Sequence, residues 1–493
     1  METSAESPRT RLLKGTVYSF AATVLAKLAF VINSIVVARL LGATQMGVLA
    51  ILGGVVSLMS LTATFGIGGA EVKYIAEYDM SDRSRLRPLI STAMTLTSLT
   101  AAVSALALIV LASPIATVIY GEPEIIAMLM VASIPLFVNA FTGSVTGVLQ
   151  GFQRIKELSV RNVLSTFITV PAALALVFVW GLWGAVIAMA TSAFIGLGVN
   201  VRFVGRLLKL KNLKLRMGID RPEAKKLFRY ATPVFFTGVA VTPVSWLVLT
   251  MLQQTSGFEA VGLYSVASGL AASLLLIPTA ISTPMIPLIS ELDVVDKERM
   301  QSVSTKVLHM TFVFFLPVTM ALALFSRLAL TILYGEAYSA AWQVLFLLSA
   351  GTFLIATDNV IVCVLFGTGR IWVSFGLNVM WMMALIPTAV LLVPPIGALG
   401  LGIAYLISYV VYTAGVLAYS HFKFGIVLHD MEVILPIAAF AFVLSVIPSL
   451  IAEGLSYYLI SFAALAVITA AVVVMLREYE WSFIRSILGR VSR

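Results

Sequence analysis

The sequence predicts an all-α polytopic membrane protein. It reads as 14 transmembrane helices in two pseudosymmetric six-helix lobes, followed by two C-terminal helices, with both termini cytoplasmic. Three observations predict this: the amount of apolar sequence, the one-sided placement of the basic residues, and a repeat of the chain on itself.

Of the 493 residues, 60% are hydrophobic and 11% charged. A helical span needs ~20 apolar residues, so the chain has room for roughly fourteen. They fall at about 15–40, 46–68, 89–112, 125–150, 161–180, 182–204, 230–252, 262–289, 308–333, 342–366, 371–393, 397–420, 431–452 and 455–476. The first follows a polar, basic leader and is longer than a signal-peptide core, so it is read as an uncleaved span. The resulting organisation is a cytoplasmic N-terminus over 1–14, an N-lobe over 15–204, a basic cytoplasmic linker over 205–229, a C-lobe over 230–420, two helices over 431–476, and an amphipathic cytoplasmic tail over 477–493.

The net charge of +9 does not point to nucleic acid, because the basic residues sit in short loops between apolar spans. With the loops assigned alternately from a cytoplasmic N-terminus, 29 of the 32 Lys and Arg residues fall inside. The exceptions are Lys27, in mid-span, and Arg39 and Arg327, at outer helix ends. The outer loops carry acids instead: Glu122, Glu124, Glu259, Glu336 and Glu453. This is the positive-inside pattern.

A shift of 216 residues places Gly151 and Arg154 on Gly367 and Arg370, Asn162 on Asn378, Pro171 on Pro387, Gly184 on Gly400, Ala188 on Ala404 and Ser192 on Ser408. Tyr120-Gly121-Glu122 matches Tyr334-Gly335-Glu336 at a shift of 214. Spans 3–6 thus recur as spans 9–12 in the same orientation. Parallel repeats about an axis along the membrane normal are a transporter architecture, with substrate handled between the halves. Prolines fall inside many spans, three of them in IPTAISTPMIPLIS, and bend helices by freeing backbone carbonyls.

Two segments read as interfacial. The linker, with LLKLKNLKLR and then EAKKLFRY, suits the anionic lipids of the inner leaflet. In the tail, Trp481, Ile484, Leu488 and Val491 fall at helical spacing, with Arg485, Arg490 and Arg493 off that stripe.

Lys27 is the first candidate functional residue. It lies ~18 Å along an inside-to-outside helix at ~1.5 Å per residue, which is mid-membrane. Thr16, Thr23, Lys27 and Ser34 fall within about 40° of one meridian. A cation at the centre of a polar stripe faces a water-filled cavity or the bundle interior, since facing hydrocarbon costs ~2.5–3.5 kcal/mol. Asp358 is the other deep charge, suited to an ion pair or to a coupling H⁺ or Na⁺. Its partner in the repeat is Thr142, so it breaks the pseudosymmetry, as Lys27 does. Arg154, Arg161 and Arg370 lie at inner helix ends, where they set topology and would meet an anionic head group arriving from the cytoplasm. Span-buried amides and hydroxyls, among them Asn33, Asn139, Asn162, Asn200, Thr237, Asn359 and Asn378, either line a path for sugars or glue helices together.

Several chemistries lack their signatures. There is no phosphate-binding glycine loop of the ATPase type. His309, His421 and His429 form no ligand cluster, and no metal site is expected. The single cysteine, Cys363, rules out an intrachain disulfide. The short outer loops carry no paired carboxylates of the kind a membrane glycosyltransferase or polymerase would show, so the chain reads as a non-enzyme.

The chain resembles the polysaccharide flippases of the MOP superfamily, the Wzx or RfbX type. The resemblance rests on IVVARLLGATQMGVLAI, FGIGGAEVKYIAEY, YGE, VLQGFQR and KKLFRYATPVFFTGV in that order. It implies a MATE-like, V-shaped transporter of the cell membrane that flips a polyprenyl-diphosphate-linked oligosaccharide from the inner to the outer leaflet. Lys27, Thr23, Ser34, Asn33 and Arg39 would then line a cationic cavity, with Arg154, Arg161 and Arg370 at its cytoplasmic entrance. A proton, Na⁺ or the membrane potential would drive transport, with no other cofactor. Glycan polymerases or glycosyltransferases are the implied partners. The alternatives are a cation-coupled multidrug exporter and a lipid II flippase of the same fold. Against the latter, lipid II flippases carry an Arg-Asp pair where this chain reads Ile32-Asn33.

Overall fold

The computed structural model describes residues 8–213, 215–424 and 455–479. The predicted span at 431–452 and the amphipathic tail lie outside the described residues. So do the side chains of Thr16, Thr23 and Lys27, although their backbone is helical.

Every regular element among the described residues is helical. In chain order these are α1 (Pro8–Thr64), α2 (Ile67–Ser81), α3 (Leu86–Pro114), α4 (Ile125–Gly151), α5 (Ile155–Leu210), α6 (Arg221–Val239), α7 (Thr242–Ser273), α8 (Leu276–Val295), α9 (Lys297–Leu324), α10 (Ser326–Tyr334), α11 (Trp342–Gly367), α12 (Ile371–Phe424) and α13 (Leu455–Tyr479). Eight stretches among the described residues are long and apolar enough to cross a membrane. Four of the rods are broken by a glycine in a conformation that L-residues avoid. Gly42 breaks α1 (φ 75°, ψ 173°) and Gly257 breaks α7 (φ 80°, ψ 177°). Gly181 breaks α5 (φ 53°, ψ −128°) and Gly397 breaks α12 (φ 55°, ψ −131°). The pairs have nearly the same angles and stand 215 and 216 residues apart.

The recurrence extends to packing. A Cβ on Gly184 would lie 1.9 Å from the Leu176 carbonyl oxygen, and one on Gly400 would lie 2.1 Å from that of Leu392. One on Gly151 would lie 2.6 Å from Ile75 Cβ, and one on Gly367 would lie 2.9 Å from Ile289 Cβ. In both places only the absence of a side chain lets the backbones close. The internal repeat seen in the sequence is therefore a repeat of backbone solutions.

The chain divides into two compact units, Met1–Ser265 and Val266–Arg493. In the first, α1 packs on α3, α4 and α5. Here α1 and α7 meet at Gly47 and Gly262. A Cβ on either would lie 1.8 Å from a carbonyl oxygen, that of Phe258 or of Ala43. The segment after span 2, read from sequence as a connection, is the helix α2. Its Ile67, Ala70, Ile75 and Tyr78 form one buried stripe against Leu89, Ile90, Val148, Leu149 and Leu227.

The linker is also more structured than the sequence suggested. α5 runs to Leu210, residues 215–220 are non-helical, and α6 starts at Arg221, capped by Asp220, whose side chain accepts from the Glu223 amide. The non-helical strap is pinned to α3. The amides of Arg216, Gly218 and Asp220 donate to the hydroxyls of Ser91 (3.4 Å), Thr95 (3.0 Å) and Thr92 (2.9 Å).

In the second unit α11 is central, packed against α8, α9 and α12. Predicted span 9 ends differently from its sequence reading: α9 stops at Leu324, and α10 is a separate short helix. α13 closes on α9, where the Tyr457 hydroxyl donates to the Leu324 carbonyl at 2.6 Å. Ile468 completes a core of Phe312, Phe315, Leu316 and Phe353.

Candidate functional site

Of the predicted cavity residues on α1, Asn33 and Ser34 are half-buried and Arg39 is exposed. The Asn33 Oδ1 is buried with no hydrogen-bond partner among the described residues.

The predicted entrance residues have different surroundings. Arg154, exposed, pairs with Glu157 at 3.3 Å. Arg161 lies inside a polar cluster between α4 and α5. Its Nη1 donates to Thr146 Oγ1 at 3.2 Å and its Nη2 donates to Asn162 Oδ1. Thr146 in turn donates to Asn200 Oδ1 at 3.1 Å, and Asn200 is fully buried. The Arg161 Nε is buried without a partner. Arg370, in the second unit, donates to the Tyr419 hydroxyl at 3.3 Å and stacks over Phe424, its guanidinium carbon 4.7 Å from the ring centre.

Asp358 on α11 is 2% exposed. Its Oδ2 accepts from Thr413 Oγ1 of α12 at 2.8 Å, and its Oδ1 has no partner among the described residues. Nearby on α12, Trp381, Tyr405 and Tyr409 gather with ring centres 5.9–6.2 Å apart. The Tyr409 ring edge lies 3.5 Å from where a Cβ on Gly351 would be, two helical turns before Asp358. A buried carboxyl near an aromatic cluster that Tyr409 joins suits a cation.

Two glutamates were missed in the sequence. Glu71 on α2 is fully buried. Its Oε2 accepts from Ser144 Oγ of α4 at 2.7 Å, while Oε1 has no partner among the described residues. Glu223 on α6 is 3% exposed but surrounded by donors. The Tyr78 hydroxyl donates to its Oε2 at 3.0 Å, and Arg85 Nη1 stands 3.7 Å from its Oε1. Lys226 donates to the same Tyr78 hydroxyl. Next to this network, Lys211 pairs with Asp79 at 2.7 Å and lies over Phe152. One signal could have found Glu71. It occupies the buried stripe of α2, four residues from Ile67 and from Ile75, like an apolar residue.

Comparison with known proteins is consistent with this architecture. The profile described as "Polysaccharide biosynthesis protein" matches residues 36–343, more than half of the chain. Comparison with curated proteins gives no match. Among solved structures, the lipid II flippase MurJ in an inward closed conformation aligns over 94% of this chain and 99% of its own, with TM-score 0.71 and 14% identity. An inward-facing multidrug resistance MATE family transporter aligns over 83% and 98%, with TM-score 0.66 and 14% identity. A MOP superfamily transporter from Pyrococcus furiosus, described as having a binding pocket of reversed polarity, aligns over 84% and 96%, with TM-score 0.64 and 13% identity. At these identities the likeness is one of fold. The chain is a multi-pass integral membrane protein with the MOP-superfamily fold, and it belongs to the polysaccharide biosynthesis protein family.

Proposed function

We propose that the protein flips a polyprenyl-diphosphate-linked oligosaccharide from the cytoplasmic to the outer leaflet of the plasma membrane, by alternating access, for surface glycan assembly. In this reading it has fourteen spans, both termini are cytoplasmic, and lobes over 15–204 and 230–420 flank the path. Lys27, with Thr23, Asn33, Ser34 and Arg39, meets the diphosphate inside, where a low dielectric makes a cation most effective. Arg154, Arg161 and Arg370 receive it at the entrance. Anionic inner-leaflet lipids hold the linker, and the enzymes that build or polymerise the glycan are the partners.

One observation beyond the family supports this most. Arg161 is a half-buried guanidinium with a spare Nε donor, set among Thr146, Asn162 and Asn200. Guanidinium, hydroxyl and amide groups together suit phosphate and sugar, because forked N–H groups match phosphate oxygens. Deleting the gene should leave intact lipid-linked oligosaccharide on the inner leaflet and remove the surface glycan. Restoration by the wild-type chain but not by Lys27→Ala would support the cavity reading. Normal transport by the alanine variant would end it.

A second reading, a cation-coupled exporter, is favoured by Asp358 and its aromatic neighbours. Drug sensitivity on deletion with an unaltered glycan would select it.

A further inference from the structure

We propose that Glu71 is a proton-binding site that latches α2 onto α4: its carboxyl holds a proton while the two helices are packed and releases it when they part. The inference rests on the surroundings of this side chain and is independent of the transported substrate.

Glu71 lies in α2, outside the candidate membrane spans, which end at Thr64 and resume at Arg83. It is fully buried, in a stripe otherwise made of Ile67, Ala70, Ile75 and Tyr78. Its one hydrogen bond comes from Ser144 Oγ. Gly147, one turn along α4, lets the carboxyl lie against the backbone, since a Cβ there would be 3.2 Å from Oε2. Oε1 is left unpaired among the described residues. An ionised carboxylate sealed in such a place is far more costly than a neutral acid.

Among the described residues no cation compensates. The elements packed on α2 are α3, α4, α6 and the turn Arg83–Arg85, whose Arg83 pairs with Asp79 at 3.3 Å. α4 carries no charged residue at all. On α6, Glu223 and Lys226 are engaged with Tyr78, and Tyr230 lies under Lys73 of α2. Lys225 and Arg229 of α6, Arg87 of α3 and Glu77 of α2 are exposed. Arg85, before α3, faces Glu223, and Asp79 is held by Lys211. Arg161 of α5 is bonded to Thr146 and Asn162. Burial pushes the Glu71 carboxyl up to about 8, against the pull of the Ser144 hydrogen bond, and no charged neighbour contributes.

The second repeat shows that the fold does not require this group. The shift that carries Ile75 to Ile289 carries Glu71 to Met285, and the shift of 216 carries Ser144 to Val360. Both are buried, Met285 at 4% and Val360 at 2% exposure. Both corresponding positions there are apolar.

Ionisation becomes affordable when water reaches Oε1, which requires α2 to move off α4. Proton release and helix parting are therefore one linked equilibrium. While the packed state holds the proton and the parted state does not, parting is favoured ~tenfold per pH unit, and the gain levels off above about pH 8.

Two measurements on the purified full chain in lipid nanodiscs test this, and neither needs a substrate. The first is an infrared pH titration. The wild type should lose a carboxylic-acid C=O band near pH 8 that Glu71→Gln lacks and Asp358→Asn keeps. Ser144→Ala should move that midpoint upward, since it removes the bond that favours the carboxylate. The second uses Cys363→Ser with a cysteine in place of Val148, which is fully buried in the α2–α4 core. Labelling by a polar thiol reagent, taken as a ratio to the same protein carrying Glu71→Gln, should rise with pH and level off above about 8. The ratio removes the thiol's own titration. A band and titration unchanged by Glu71→Gln would overturn the proton site. A flat labelling ratio would overturn the latch. Should Glu71→Gln fail to fold, an unmoved midpoint in Ser144→Ala would overturn the site alone.

Discussion

The two repeats share a backbone and divide the polar chemistry between them. Gly181 and Gly397 break their helices with φ within 2° of each other and ψ within 3°. Gly184 and Gly400 meet the carbonyls of Leu176 and Leu392, positions that also differ by 216. The polar groups do not follow. Thr146, Arg161 and Asn200 of the first repeat correspond to Val362, Leu377 and Val416 in the second. Conversely, Asp358, Thr413, Trp381 and Tyr409 correspond to Thr142, Leu197, Ser165 and Ala193. Among the described residues, each repeat buries one carboxyl that carries a single hydroxyl donor and an unpaired oxygen, at a position where the other repeat has none. Glycine positions that the fold cannot do without are duplicated, and groups present once are the ones free to serve a ligand.

That contrast can be broken first at the glycines. Gly184→Ala and Gly400→Ala should each cost about 3 kcal/mol or more, since backbone atoms, not flexible side chains, stand in the way. Thermal unfolding in detergent measures both. A large loss in one repeat and none in the other would contradict the shared backbone. Next comes Arg161→Ala, which should slow appearance of the lipid-linked oligosaccharide in the outer leaflet ~10- to 100-fold, the equivalent of losing one or two charged hydrogen bonds. Leu377→Met, at the corresponding place, should leave transport near normal.

The pH dependence of stability sharpens the comparison further. The Glu71 carboxyl is raised in the folded chain, from 4.5 to about 8. Below pH 4.5 both folded and unfolded states hold the proton and its contribution is intact. As pH rises toward 8 the unfolded state releases its proton first, so stability falls by up to ~1.4 kcal/mol per pH unit. Denaturation across this window should show that slope, less whatever other groups contribute, and Glu71→Gln should remove it. The smallest effect is expected from Lys211→Ala. The Lys211–Asp79 pair is partly exposed and should contribute about 0.5–1 kcal/mol, lost as salt is added.

The architecture was legible because its signals are long. Apolar runs and the recurrence of Gly, Pro and Asn at a fixed offset both survive local noise. Predicted spans 11 and 12 part at the Pro394-Pro395-Ile396-Gly397 break, as their sequence suggests. α2 was hidden because Lys73, Glu77 and Asp79 make its exposed face look like a loop, and its buried stripe contains a glutamate. Glu71 was hidden for the same reason in reverse: beside so many charged residues one more attracted no notice, until its burial set it apart. Arg161 was marked as an entrance charge from its position at a helix end. That it sits in a network with Thr146 and Asn200 depends on which faces of α4 and α5 meet, which neither period nor composition specifies. Asp358 stood out because a carboxylate among apolar residues is conspicuous, but its aromatic neighbours come from α12 and could be joined to it only by packing.

The strap over 215–220 has a consequence for how this chain can change over evolutionary time. It holds to α3 chiefly through amide groups, with Ser91, Thr92 and Thr95 as the acceptors, while Leu215 packs on the apolar core and Met217 receives the Thr95 hydroxyl. Every residue except proline brings an amide. Most exchanges at 216 and 218 therefore leave the strap in place, and Asp220 is held additionally by its capping role. Loss of a hydroxyl at 91, 92 or 95 has no such remedy. Homologues of this chain should accordingly vary freely at 216 and 218, exclude proline at 216, 218 and 220, and keep hydroxyl side chains along the facing edge of α3.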